Sequence, residues 1–367
     1  MAAAGRLLTV TALACGLAGC ARPGPDVLTP TLTSAPGART ATVFVATTRA
    51  REVADTNVYS SIFARAVNYG EFTISVPPGH RPGNIEWPLG PPDPAVSFAT
   101  VQQSVLTRQA FEQRIGARDN APKELKVGVF VHGFNTNFQE ALYRVAQLKA
   151  DAEVDGMPIL FAWPSEAKVT GYIADKDAVT YSRDQLVELL RMLAHDRKVA
   201  GITVFAHSMG GWLTVEALRQ LRVAGDNAVI GRLNVILAAP DIDVDVFRKQ
   251  MEVIGKMSPP MTVLVASDDL ALSFSSRLAD RRTRLGALNF TDPRVQEIAT
   301  KVEIIDISNL KAPDLLRHDR YANFAALYPR LTADEHDVRR TGAFVLDSVG
   351  ATLAAPFTMT GRMISGE

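Results

Sequence analysis

Six apolar runs, each closed by small or polar residues, punctuate the chain between residues 126 and 308: KVGVFVHG, PILFAW, GITVFAHS, RLNVILAAP, MTVLVAS and KVEIIDIS. Their continuity predicts strands buried on both faces, since a half-solvated strand would alternate apolar with polar. Between the first two runs the apolar period lengthens, with Phe138, Leu142, Val145 and Ala146 falling on one helical face. Leu186, Leu189, Leu190 and Leu193 do the same between the second and third. Strands alternating with amphipathic helices predict an α/β fold, a mainly parallel sheet with helices on both faces. Such sheets bind ligands at the carboxyl ends of their strands.

The preceding stretch has a different texture. From 41 to 105 the runs ATVFVATT, GEFTISVPP and AVSFATVQ are separated by Pro and Gly breakers, which predicts a β-rich N-terminal section. Residues 21–40, ARPGPDVLTPTLTSAPGART, carry Pro, Thr and Gly without a period and read as a flexible tether. The folded domain is expected over 41–350, with 351–367 as a C-terminal tail. The first twenty residues, MAAAGRLLTVTALACGLAGC, place one positive charge before an apolar run too short to span a bilayer. That is the layout of an export signal. Its end, Leu17-Ala18-Gly19-Cys20, resembles the lipobox of bacterial lipoproteins, which implies lipidation at Cys20 and an envelope protein held on a membrane by its acyl chains. Ala21, rather than Asp, after the cysteine resembles the pattern that sorts such proteins to the outer membrane, facing the periplasm. The competing reading is an ordinary cleaved signal.

Composition narrows the chemistry. Over 367 residues, 47% apolar and 21% charged, the chain is long enough to bury a full core. Net charge is zero and no Lys or Arg block is long enough to track phosphates, which argues against nucleic acid as a partner. The two cysteines, Cys15 and Cys20, lie in the signal segment, so the folded part has no thiol for a zinc site, a disulfide or a nucleophile. No metal or cofactor is expected.

The ends of two strand runs carry the candidate chemistry. Ala206-His207-Ser208-Met209-Gly210 stands between a strand and a helix whose Leu213, Ala217, Leu218 and Leu221 share one face. A serine there suits a nucleophile elbow, G-x-S-x-G with alanine at the first glycine; its competitor is a serine that merely caps the helix. Val131-His132-Gly133-Phe134-Asn135 ends the first parallel strand, and the backbone NH groups of Phe134 and Met209 are the expected oxyanion donors. His132 and His207 read as structural imidazoles. The base must come late in the chain, after the acid. Only His318 and His336 follow Ser208, and His318 is preferred because its loop begins directly after the last strand. The acid should close the run MTVLVAS, where Asp268 and Asp269 stand together. One is expected to orient the imidazole and the other to cap the next helix. Asp241, Asp243 and Asp245 lack the glycine and distal glutamate of a calcium loop and read as a helix start on a solvated face.

With these positions assembled, the chain resembles the α/β-hydrolase fold, and within it the bacterial esterase/lipase-like family known as domain of unknown function 900. The segments FVHGFNTNFQEALYRVAQL, FAHSMGGWLTVEAL, LAAPDIDVDVF and VLVASDDLALSFSSRLAD carry the likeness. The resemblance implies Asp269 as the acid, Asp268 being the alternative, and places the base at His318. The expected activity is hydrolysis of a small carboxylic ester by Ser208, His318 and Asp269. The rivals are acyl transfer by the same residues and a catalytically silent envelope module that uses the fold for binding.

Overall fold

The computed structural model describes residues 22–116, 125–152, 156–288 and 293–323. Cys20, His336 and the 351–367 tail lie outside these residues.

One nine-stranded sheet organises the molecule. Its N-terminal third is a meander: β1 (Arg39–Arg51) pairs antiparallel with β2 (Tyr59–Val76), which pairs antiparallel with β3 (Ala99–Leu106), the edge strand. A helix, α1 (Arg108–Gly116), leads to the parallel series β4 (Leu125–Val131), β5 (Met157–Ala162), β6 (Val199–His207), β7 (Leu233–Ala238), β8 (Met261–Val265) and β9 (Val302–Asp306). The spatial order is β3-β2-β1-β5-β4-β6-β7-β8-β9, with β1 running parallel to β5. The six apolar runs of the sequence are these six strands. The β-rich N-terminal section is not a separate module, because β1 extends the same sheet.

Two cores result. One face is covered by α3 (Tyr172–His195) and α4 (Met209–Val223), with the single-turn α5 (Asn227–Ile230) and α6 (Val244–Ile254) beside them. Leu186, Leu189, Leu190, Leu193, Leu213, Leu218 and Leu221 are sealed there against Val129, Val204 and Val235. On the other face α2 (Phe138–Ala152) buries Phe138, Leu142 and Val145 against Val45, Leu160 and Phe72. The remaining helices are α7 (Leu270–Leu278) and α8 (Pro293–Ala299). Complete burial of a Leu or Phe side chain is worth about 1.5–3 kcal/mol, so these two layers dominate the fold's stability.

Residues 22–38 depart from the expected free tether. A 3-10 turn over Pro25–Leu28 buries Val27 and Leu28. The Val27 carbonyl accepts from Thr100 Oγ1 at 2.9 Å and Tyr143 Oη at 2.7 Å, and Gln103 Nε2 donates to the Leu28 carbonyl at 3.1 Å. The segment is docked because its two apolar residues have a slot between β3 and α2. Those partners lie more than seventy residues away, beyond the reach of local pattern reading.

Candidate active site

Ser208 is where β6 becomes α4, and its backbone takes φ 54°, ψ −118°. A non-glycine residue there costs of order 1–3 kcal/mol and persists only if its surroundings hold it. They do: Ser208 N donates to the Ala238 carbonyl at 2.9 Å, and its carbonyl accepts from Gly211 N at 2.9 Å and Asp241 N at 3.1 Å. Ser208 occupies the N-cap position, yet its hydroxyl makes no capping bond. The helix-cap alternative therefore does not describe it. The tight approach is made by Gly210, where an added Cβ would stand 2.4 Å from the His132 carbonyl oxygen and 2.5 Å from that of Val131. The alanine at 206 is itself fully buried.

Gly133 brings the strand-β4 turn against this elbow, since a Cβ on it would come within 3.0 Å of Ser208 Cβ. Beyond it, among the described residues, no acceptor is paired with the NH of Phe134 or of Met209. The second is the first helical residue of α4, where unpaired NH groups and the helix dipole favour negative charge.

Asp269 and His318 meet at 2.6 Å through Oδ2 and Nδ1. Asp269 is fully buried, and its other oxygen accepts from Leu272 N at 2.9 Å. The expected division between a capping and an orienting aspartate is thus wrong: Asp269 does both, one oxygen for each. Asp268 instead pairs with Arg317 at 3.0 Å and Arg320 at 2.7 Å. Burial works to raise the Asp268 carboxyl, but these guanidiniums outweigh it and hold it below the usual carboxylate range. This pairing ties the acid loop to the histidine loop. Asp314 fixes that loop from within, accepting from the NH of His318 at 3.0 Å and of Asp319 at 2.9 Å. Burial acts to lower the His318 imidazole, yet Asp269, with Asp319 and Asp241 further off, leaves it raised above its ordinary value.

The imidazole lands beside the elbow. Its ring lies 4.5 Å from that of His207, the residue preceding Ser208. Among the described residues, Ser208 Oγ and His318 do not form a hydrogen bond. His207 is buried, held well below its ordinary pKa first by burial and then by His318, and packs on Tyr321 at 4.3 Å. His132 stacks on Trp163 at 4.7 Å, and burial together with Arg49 pushes it down to about 3. Both rings pack against aromatic neighbours.

Sequence reasoning missed the support beneath the 133–137 turn. Asp175, fully buried on α3, accepts from Ser165 Oγ at 2.6 Å, Glu166 N at 2.7 Å and Asn135 N at 3.3 Å. Arg49, buried on β1, donates to the Thr136 carbonyl at 3.0 Å. A charged residue within an otherwise apolar strand or helical face was the available signal. Asp241 is a second correction. It is buried, not solvated, because Arg284, Tyr172 and Ser275 converge on it at 3.2, 2.9 and 2.8 Å. Asp243 alone behaves as a helix start, capping α6.

A cavity of about 280 Å³ opens at the carboxyl ends of the strands, reaching Gly133, Phe134, His207 and His318 and walled by Trp87, Leu316 and Tyr321. Arg22, Glu140, Arg144 and Asp319 give it a charged side.

A family model described as alpha/beta hydrolase of unknown function (DUF900) matches residues 107–335. Solved structures similar to the chain include Est1E from Butyrivibrio proteoclasticus, 11% identical with a TM-score of 0.37, covering 63% of this chain and 90% of that one. A putative hydrolase from Agrobacterium vitis S4 is 11% identical with a TM-score of 0.33, covering 79% and 98%. An esterase from Pyrobaculum calidifontis is 13% identical with a TM-score of 0.31, covering 72% and 81%. No curated protein matches.

Proposed function

Because the chain belongs to the alpha/beta hydrolases of unknown function grouped as DUF900, we propose that it cleaves a small carboxylic ester through an acyl-enzyme on Ser208. His318 takes the serine proton through Nε2 and returns it to the leaving alcohol. Asp269 holds Nδ1–H, fixing the tautomer and stabilising the imidazolium as it forms. The NH groups of Phe134 and Met209 receive the oxyanion, each worth on the order of a hundredfold to a thousandfold in rate. Water then releases the acid. The observation that carries this reading is the 2.6 Å contact of Asp269 with His318, delivered by two late loops to a ring packed against the residue before a strained serine. A cavity of about 280 Å³ falls just below the range of small-molecule sites, roughly 300–1,000 Å³, and suits a compact reacting group. Anchoring to the bacterial envelope through Cys20 is part of the same reading.

A fluorophosphonate probe tests it. The wild-type protein is labelled once, at Ser208, and Ser208→Ala is not. Labelling that persists in the variant, or is absent from both, defeats the assignment and favours a binding module.

A further inference from the structure

Arg22 lies two residues after Cys20 and sits at the rim of the cavity that holds His318. Its Nε pairs with Glu140 at 3.1 Å and its Nη1 donates to Asn135 Oδ1 at 3.1 Å. Its guanidinium also donates to the carbonyls of Asn135 and Ala167. The next residue is tied down as well, with Asn137 Nδ2 donating to the Pro23 carbonyl at 3.1 Å. Consecutive Cα atoms are 3.8 Å apart, so the Cα of Cys20 can stand no more than about 7.6 Å from that of Arg22. A flexible tether of the twenty residues from 21 to 40 would instead leave a root-mean-square gap of roughly 25 Å between anchor and domain. The docked segment removes that freedom.

Exposed apolar side chains stand beside the mouth, next to its charged side. On the His318 side, Leu315 is 96% exposed and Leu316 55% exposed. The Leu316 carbonyl accepts from Leu270 N at 3.0 Å, which sets Leu270 and, one turn along α7, Phe274 beside them, both exposed. Beside Arg22, after the Ala167 carbonyl it holds, come the exposed Val169 and Ile173. Exposed apolar groups beside a cavity suit an interaction face, and an acyl anchor on Cys20 would make a bilayer its partner.

We propose that this rim rests on the lipid bilayer that receives the acyl chains of Cys20, so that the cavity opens toward the membrane and takes an ester presented by it. The proposal rests on the hydrolase reading for its substrate and on Cys20 lipidation for its placement. The substrate class is an amphiphilic ester whose reacting group lies near headgroup depth, with its apolar portion left in the bilayer.

The experiment uses the full-length lipidated chain in vesicles of phosphatidylethanolamine and phosphatidylglycerol at 3:1. A nitrobenzoxadiazole label on Leu315→Cys reports depth through its emission and its quenching by bromolipids, independently of activity. Expected is a blue-shifted, quenched label, lost when twelve Gly/Ser residues are inserted between Ala21 and Arg22. The insertion and Ile173→Ser should leave hydrolysis of soluble p-nitrophenyl acetate within twofold of wild type. Each should lower turnover of a bilayer-embedded methylumbelliferyl oleate by tenfold or more. A label that stays in water, a Cys20 without acyl groups by mass spectrometry, or equal embedded-ester rates with and without the insertion overturns the proposal. Absence of soluble-ester turnover in every form defeats the hydrolase reading instead, while the label still decides the placement.

Discussion

Replacing Asp175 with asparagine isolates the support beneath the 133–137 turn without changing side-chain size. Asp175 Oδ2 serves both Ser165 Oγ and Asn135 N, and Oδ1 serves Glu166 N. An amide can offer an oxygen at only one of these places, so its NH2 must face at least one buried donor. Leaving one buried group unsatisfied costs about 1–3 kcal/mol. Arg49 loses as well: burial brings its pKa down to about 10, and Asp175 is the first of the charges opposing that fall. Adding a fraction of the cost of uncovering a buried charge gives about 2–4 kcal/mol in all. At about 2–4 °C per kcal/mol, calorimetry should show a melting point lower by roughly 4–16 °C. The kinetic effect is separate, because Asn135 is bonded to Phe134, one of the proposed oxyanion donors. Even part of the loss of such a donor should lower kcat on a p-nitrophenyl ester by about tenfold to a hundredfold, with KM little changed. Ser165→Ala, which keeps the carboxylate, should fall between wild type and Asp175→Asn in both. Full kcat with a lowered melting point would reduce Asp175 to a fold residue. Two unchanged values would refute the accounting altogether.

Further outcomes follow from the same geometry. Asp269→Asn should lower kcat by about 10⁴-fold, by analogy with the buried aspartate of serine proteases, because it stabilises the wrong imidazole tautomer. Stopped-flow acylation checks this, and a loss under tenfold would remove Asp269 from the mechanism. The proposed base, His318, can act only when neutral and its pKa is raised, so kcat/KM should fall on the acid side through an apparent pKa above 6.5. A pH–rate profile with that limb below 6.5 contradicts the arrangement. Gly210→Ala drives a methyl against two backbone carbonyls and should cost about 1–3 kcal/mol in urea unfolding. Gly211→Ala, whose nearest neighbour is a proline side chain at 3.1 Å, should be milder. His80 is clamped between Glu86 at 2.7 Å and Asp151 at 2.8 Å. Burial opposes its charge, but the two carboxylates raise its pKa overall. Its stabilisation is therefore complete below the unfolded value near 6.5 and is lost as pH rises through the folded value, at no more than about 1.4 kcal/mol per pH unit. Denaturation of His80→Gln against wild type should show a gap that narrows with rising pH.

The sequence by itself determined the strands, the parallel architecture and the neighbourhood of the candidate serine. Continuous apolar runs and helical spacing are local consequences of burial, so residues 126–308 disclose their layers without help. The strand-to-helix position of Ser208 is equally local, whereas the preference for His318 came from the order of candidate residues along the whole chain. Only the tertiary structure decided how those loops are held. Asp268 meets Arg317 and Arg320 some fifty residues on, Asp241 meets Arg284, and Asp175 reaches back to Asn135. Each is a charge fixed by a distant partner that no periodicity announces. The docking of residues 22–38 belongs with them, since composition reports how a segment behaves alone and not whether a slot awaits Val27 and Leu28. Burial leaves a repeating signature along the chain, whereas the pairing of one polar atom with another distant one leaves none.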